Sequence, residues 1–167
     1  MPLEGDRSYP IAVLVGCLTG ALTAPSANAS QDDLQGPTGS GRFGDTVTAL
    51  PNGNVVITDP LYNEGGTAIG AVYVIDSTLG LISFLKGSTA GDQIGSNGIV
   101  VLANGNFLVR SPRWDNGAAV NAGAVTWCSM TTGCNGEVSA ANSLVGGTSG
   151  DDIVLADTIA ASSRRRP

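Results

Sequence analysis

The chain has 167 residues, 42% of them hydrophobic and 13% charged, with 24 glycines and a formal net charge of −6. That length and apolar content suit one domain with a core, and the acidic balance repels phosphate backbones, so no nucleic acid is expected as a partner. Histidine is absent, which removes the commonest general base, the usual helper of a Ser or Cys nucleophile, and the commonest zinc ligand. The chain therefore reads as non-catalytic, with no catalytic residue, metal or cofactor expected and a hydrolase as the minor alternative.

In chain order, residues 1–10 are polar and residues 11–24 form an apolar run of 14, broken by Pro25. Ala27-Asn28-Ala29 then places small residues two apart before Ser30. This is the layout of a secretory signal, with residues 1–29 as signal peptide, cleavage after Ala29, and an extracellular or cell-surface location. A run of 14 falls short of the roughly 20 residues a bilayer requires, so no transmembrane span is expected in the mature chain. Leu14-Val15-Gly16-Cys17 offers a second reading, a lipobox with a lipid anchor on Cys17, although the apolar run continues past the cysteine. Residues 30–41 form an exposed lead-in.

The remainder repeats itself. Asn52-Gly53-Asn54 returns as Asn104-Gly105-Asn106 and Asp59-Pro60 as Ser111-Pro112, both 52 residues on, while Gly70-Ala71-Val72 returns as Gly123-Ala124-Val125, 53 on. A boundary phrase occurs three times: Leu34-Gln35-Gly36 before Phe43-Gly44, Leu85-Lys86-Gly87 before Ile94-Gly95, and Leu144-Val145-Gly146 before Ile153. A period near 50 residues marks a repeat architecture. The units are 42–94 and 95–149, and 150–167 begins a truncated third repeat that ends in a disordered basic tail at Arg164-Arg165-Arg166.

Each unit reads as four short strands: 46–50, 55–58, 71–76 and 81–85 in the first, and 99–102, 107–110, 124–128 and 137–140 in the second. Asn-Gly between two strands predicts a hairpin with a type I′ turn. Pro60 ends the second strand, because proline cannot donate to a ladder. Strands at this spacing with no helical period between them specify an all-β protein. Four antiparallel strands per 50 residues is the size of a propeller blade, so the expected fold is two blade-like repeats of an incomplete β-propeller, with a small β-sandwich as the alternative. Two blades leave two open apolar faces, which implies self-association to complete a ring or membership of a longer array.

Phe43-Gly44, the hairpin, Thr58-Asp59-Pro60 and Gly70-Ala71-Val72-Tyr73-Val74 together resemble an FG-GAP repeat of the integrin α-subunit type, with only the proline of the Gly-Ala-Pro element kept. Asn104-Gly105-Asn106, Ser111-Pro112-Arg113-Trp114-Asp115-Asn116-Gly117-Ala118 and Gly123-Ala124-Val125-Thr126-Trp127 are similar to tandem repeats of bacterial haemagglutinin- and adhesin-like surface proteins. The resemblance implies a propeller-type array in surface binding or adhesion, with a glycan or protein surface as ligand. A structural spacer, or a fragment of a longer repeat protein, is the alternative. FG-GAP blades often carry a calcium loop, but the corresponding turns here contain no carboxylate, and calcium wants six to eight oxygens.

Few residues remain as candidates for chemistry. Cys128 and Cys134 flank a hairpin connection and, in an exported chain, read as a disulfide. Tyr62 and Trp114 follow the equivalent prolines, so each repeat places one aromatic on the same connection, either packed on the neighbouring blade or displayed as a ligand-contact platform. Trp127, matched by Val74, reads as core, and Asp151-Asp152 as a solvated turn.

Overall fold

The computed structural model describes residues 33–65 and 67–153. The expected signal peptide and its cleavage point after Ala29, the expected lipid anchor on Cys17 and the Arg164–Arg166 tail lie outside the described residues. Within them the protein is all-β: β1 (Thr46–Ala49), β2 (Val55–Asp59), β3 (Ala71–Ile75), β4 (Leu81–Lys86), β5 (Ile99–Val101), β6 (Phe107–Ser111), β7 (Ala124–Cys128), β8 (Gly136–Glu137) and β9 (Ser143–Val145). They form two sheets, β1-β2-β3-β4-β8 and β5-β6-β7-β9, each built on the antiparallel meander of one repeat. The two sheets do not close into a barrel.

The Asn-Gly connections form hairpins, but not type I′ ones. Five residues, 50–54, separate the paired Ala49 and Val55. Gly53 N donates to Leu50 O at 3.0 Å and only Gly53 has positive φ, at 88°. Pro51 and Asn52 thus occupy the centre of an ordinary turn, where proline's fixed φ is an asset, and the glycine that follows takes the left-handed position. Gly105, at φ 86°, repeats the arrangement.

The fourth strand of the second repeat also differs from expectation. Residues 137–140 do not complete the second sheet; β8 crosses to the first sheet and pairs in parallel with β4 through Leu85–Gly136 and Lys86–Glu137. The fourth place is taken by β9, which pairs with β7 and carries Leu144-Val145 of the boundary phrase, as β4 carries Leu85-Lys86. Sequence spacing explains the detour: the offset between copies grows from 53 at Gly70/Gly123 to 59 at Leu85/Leu144, so six extra residues lie between β7 and β9. They form a clasp on the first sheet. Asn52 and Asn54 each donate a side-chain amide to Met130 O, at 2.8 and 2.9 Å, Cys134 N donates to Ser83 Oγ, and Phe84 N donates to Asn135 Oδ1.

The main core lies between the sheets. Val56, Val72, Val74 and Leu85 of the first sheet pack with Phe107, Val109, Ala124 and Cys128 of the second, and Trp114 and Val138 join them. A fully buried side chain of this kind contributes about 1.5–3 kcal/mol. A second cluster, Ile57, Tyr62, Ala71, Tyr73 and Ile75 with Phe43 and Phe84, lies on the other face of the first sheet. Its Tyr73 ring meets Phe43 at 5.2 Å and Phe84 at 5.1 Å between centroids. Burial there raises the Tyr73 hydroxyl above its usual value.

Trp127 is not core. It is 54% exposed, whereas its equivalent Val74 is buried. The register is as expected, but the first sheet turns its Val72/Val74 face to the second sheet, and no sheet among the described residues covers the same face of the second.

Gly70 and Gly123 lock the repeats in sequence. Gly70 has φ 74°, and a Cβ there would stand 2.1 Å from Ile94 N; at Gly123, φ 79°, it would stand 2.3 Å from Ile153 N. Each glycine is thus where the boundary phrase of the next unit presses on the previous one. Gly70→Ala should destabilise the chain by more than ~3 kcal/mol, combining left-handed strain with displacement of packed backbone. Gly53→Ala, with φ 88° and open space for a Cβ, should cost only about 1–2 kcal/mol from strain alone. Equal costs in denaturant unfolding would remove the steric contact from the account.

Candidate binding surfaces

The two connection aromatics are enclosed. Tyr62 is 8% and Trp114 4% exposed, the first in the outer cluster and the second between the sheets. Tyr62 packs edge-on against Phe84 at 5.4 Å and donates its hydroxyl to Glu64, while Trp114 Nε1 is buried without a partner. Neither ring is displayed as a platform. The sequence signal was sound about equivalence: both follow a proline at a strand end, and each turns inward onto the face that its own sheet presents to the preceding unit.

Cys128 and Cys134 stand at disulfide distance, 1.97 Å between sulfurs and 5.0 Å between Cα atoms. Their loop is the start of the clasp, so the pair ties β7 to the segment that reaches across to Ser83. A closed loop this short contributes about 2 kcal/mol in the chain-entropy picture.

Missed in the sequence are the carboxylates that hold the boundary loops. Asp92 accepts hydrogen bonds from the amides of Ser88 and Thr89 at 2.9 and 2.8 Å, and from Asp115 N of the second repeat at 3.1 Å. Asp151, at the equivalent place, accepts from the amides of Gly147 and Thr148 and from the Thr148 hydroxyl. In the first loop the matching residue is Gly41, and the carboxylate comes instead from buried Asp59, which accepts from Ser40 Oγ and Arg42 N. The readable signal was Thr89-Ala90-Gly91-Asp92 returning as Thr148-Ser149-Gly150-Asp151, 59 residues on.

Environment separates the two equivalent aspartates. Burial pushes the Asp92 carboxyl above its ordinary value against the pull of its amide donors, because the second repeat covers it. Hydrogen bonds from Thr148, then from the Thr148 and Gly147 amides, lower the exposed Asp151.

Two of the open hollows among the described residues bear on binding. A polar cleft of about 420 Å³ lies where the repeats adjoin, lined by Arg42, Asp45, Gln93, Ser96, Asn97 and Arg113 with the two connection prolines. Arg42 Nε pairs with Asp45 at 2.8 Å, and Arg113 donates to Gln93 Oε1 at 2.9 Å. It is built from equivalent positions: Arg42 and Gln93 correspond, as do Asp45 and Ser96, Pro60 and Pro112, and Leu61 and Arg113. The other hollow, about 350 Å³, is apolar and lies on the outer face of the first sheet, lined by Phe43, Val47, Val55, Ile57 and Ile75 among others. Among the described residues there is no group of three or more Cys, Asp or Glu placed to hold a metal ion, and no helix long and apolar enough to cross a membrane.

Residues 49–96 and 101–154 each match the family model described as Repeat of unknown function (DUF5650), together more than half of the chain. The chain belongs to this repeat family. No curated protein and no solved structure matches it. The FG-GAP and haemagglutinin likeness therefore stays at the level of short phrases, while the DUF5650 repeat accounts for the two-copy plan itself. In this DUF5650 pair the features common to both copies are the Asn-Gly hairpin, the proline after the second strand, the Gly-Ala-Val strand and the carboxylate-held boundary loop.

Two measurements check this geometry. Non-reducing peptide mapping should find Cys128 and Cys134 linked within one chain, and reduction should lower stability by about 2 kcal/mol; freely alkylatable thiols would exclude the bond. A carboxyl NMR titration should find Asp92 ionising above and Asp151 below the ordinary Asp range. The folded chain holds the Asp92 proton more tightly than the unfolded chain, so that group favours the fold at low pH and its contribution is lost as pH rises through its native value. Asp151 does the reverse: its contribution is present above the unfolded value and lost as pH falls through the native one. Shifts in the same direction would contradict the burial argument.

Proposed function

We propose that this protein is an exported, non-catalytic surface repeat whose role is binding or adhesion, with the polar cleft at the repeat junction as the contact for a hydroxyl-rich ligand of the glycan class. One observation carries the reading: the cleft is assembled from equivalent positions of two consecutive repeats, so a longer run of repeats would present one such cleft per junction. Multiple weak identical sites give avidity without any single tight one. The chemistry fits sugar hydroxyls. Arg113 and Arg42 offer planar donor forks, and the Gln93 and Asn97 amides and the Asp45 carboxylate supply acceptors as well. Export is supported by the apolar 11–24 run with Ala27-Asn28-Ala29, and by a cysteine pair at the distance that an oxidising compartment would seal.

Binding of the labelled full-length chain to a glycan array should be detectable, and Arg113→Ala should weaken it several-fold with no change in melting temperature. Array silence, with binding to a protein surface instead, would replace the glycan by a protein ligand. Silence towards both would overturn the reading. For export, mass spectrometry of material from the medium should find Ser30 at the N-terminus. A lipid-modified Cys17 would move the protein to a membrane anchor, and an intact Met1 on all molecules would sink the proposal of export.

A further inference from the structure

Repeat equivalence assigns a destination to each exposed apolar face. On the inner face of the first sheet Val56, Val72, Val74 and Leu85 are buried against the second sheet. Their equivalents on the second sheet are Leu108, Val125, Trp127 and Leu144, which lie on its outer face. Of these Trp127 is 54% and Leu144 57% exposed. The opposite comparison gives the complement. Phe107, Val109 and Cys128 on the inner face of the second sheet receive the Val74 face, and Ile94, Ile99 and Trp114 join them. Their equivalents on the first sheet are Val55, Ile57, Ile75, Phe43, Val47 and Tyr62, which make its outer face and line much of the apolar hollow. Val47 is itself 62% exposed. Among the described residues, Ile57, Tyr62 and Ile75 are covered by the first repeat's own aromatic cluster, and the first sheet's outer face opens at Val47 and the hollow beside it, while the second sheet's outer face opens at Trp127 and Leu144.

We infer that a second copy of this chain docks head to tail, the outer face of its second sheet seating on the outer face of the first sheet, with Trp127 entering the hollow lined by Phe43, Val47, Val55, Ile57 and Ile75. The internal interface argues for this occupant: it joins the equivalent pair of surfaces, which pack against each other in the main core. The sizes agree as well. Where the internal contact has Val74 against a filled surface, the terminal face carries the larger Trp127, and the matching face carries a hollow of about 350 Å³. End units of stacked repeats ordinarily carry a polar outer surface, whereas both end faces here are mainly apolar, with Arg110 the charged residue on the second sheet's outer face, in the place of Thr58. Because the two surfaces are unlike, the contact is heterologous, so copies add in one direction and either close into a ring or continue as a filament. This contact is separate from the polar cleft, and it stands whether or not a glycan binds there.

Sedimentation velocity of the purified full-length chain over a micromolar concentration range tests the inference. The wild type should form species larger than a dimer as concentration rises. Trp127→Glu and Val47→Glu change exposed residues on opposite ends; each should sediment as a monomer with unchanged melting temperature, and Leu144→Lys should repeat the effect of the first. An equimolar mixture of Trp127→Glu and Val47→Glu keeps one intact surface of each kind and should give a dimer and nothing larger. A wild type that stays monomeric would overturn the inference, leaving the two faces to the chain's own remaining segments or to solvent. So would Trp127→Glu and Leu144→Lys variants that associate like wild type, which would place the contact elsewhere. Either variant forming dimers alone would establish like-to-like pairing, and a mixture that stays monomeric while the wild type associates would overturn the head-to-tail arrangement.

Discussion

The contact of Val56, Val72, Val74 and Leu85 with Phe107, Val109, Ala124 and Cys128 is made by surfaces that are not the same surface. Each β-strand presents alternate residues to opposite sides, so one sheet carries two faces, and here one copy uses its first face while the next copy uses its second. The first repeat covers much of its outer face with its own Phe43, Tyr62 and Phe84, but its Val56, Val72, Val74 and Leu85 face is covered only by the second sheet. The rest of the molecule follows from that constraint: the hairpins present the strands, the glycines let the units approach, and the loops fix the spacing between them.

Spacing is set by backbone and not by side-chain fit. At Gly70 and Gly123 the next unit's boundary segment comes within 2.1 and 2.3 Å of where a Cβ would be, so the junction tolerates no side chain. The boundary loops are then held from inside by carboxylates. Asp92 serves two masters, capping its own loop and accepting from Asp115 N across the junction, and it bears the cost of burial for doing so. Asp151 has the same loop without a cover, and its ionisation moves the opposite way. The carboxyl groups of two equivalent residues are thus shifted in opposite directions, Asp92 up by burial and Asp151 down by its hydrogen bonds.

The clasp breaks the symmetry between copies. Six extra residues after β7 allow the chain to add β8 to the first sheet before β9 completes the second. The first copy turns tightly at Asp76–Gly80, held by Asp76 accepting from the amides of Thr78 and Gly80, and has no length with which to do the same. Joining the sheets by hydrogen bonds at an edge, in addition to the apolar faces, makes this junction more than a stack of two surfaces.

The sequence by itself determined the strand content, the period and the equivalence of the copies. Those are local matters: alternating β-branched residues, turn residues at strand ends, and phrases that recur at 52, 53 and 59 residues. It also placed Cys128 beside Cys134, because six residues around a hairpin bring two side chains near whatever the rest of the fold does. Only the tertiary structure decided which way each face points. Val74 and Trp127 hold the same register position and have opposite burial, because burial belongs to the sheet that covers a residue and not to the strand that carries it. The same reason turned Trp114 inward and sent β8 to the first sheet, while Tyr62 is covered by Tyr73 and Phe84 of its own repeat. No local pattern in residues 129–142 encodes the Ser83 and Lys86 partners that draw them there; those partners lie some fifty residues earlier, and they become neighbours only once the two sheets have met.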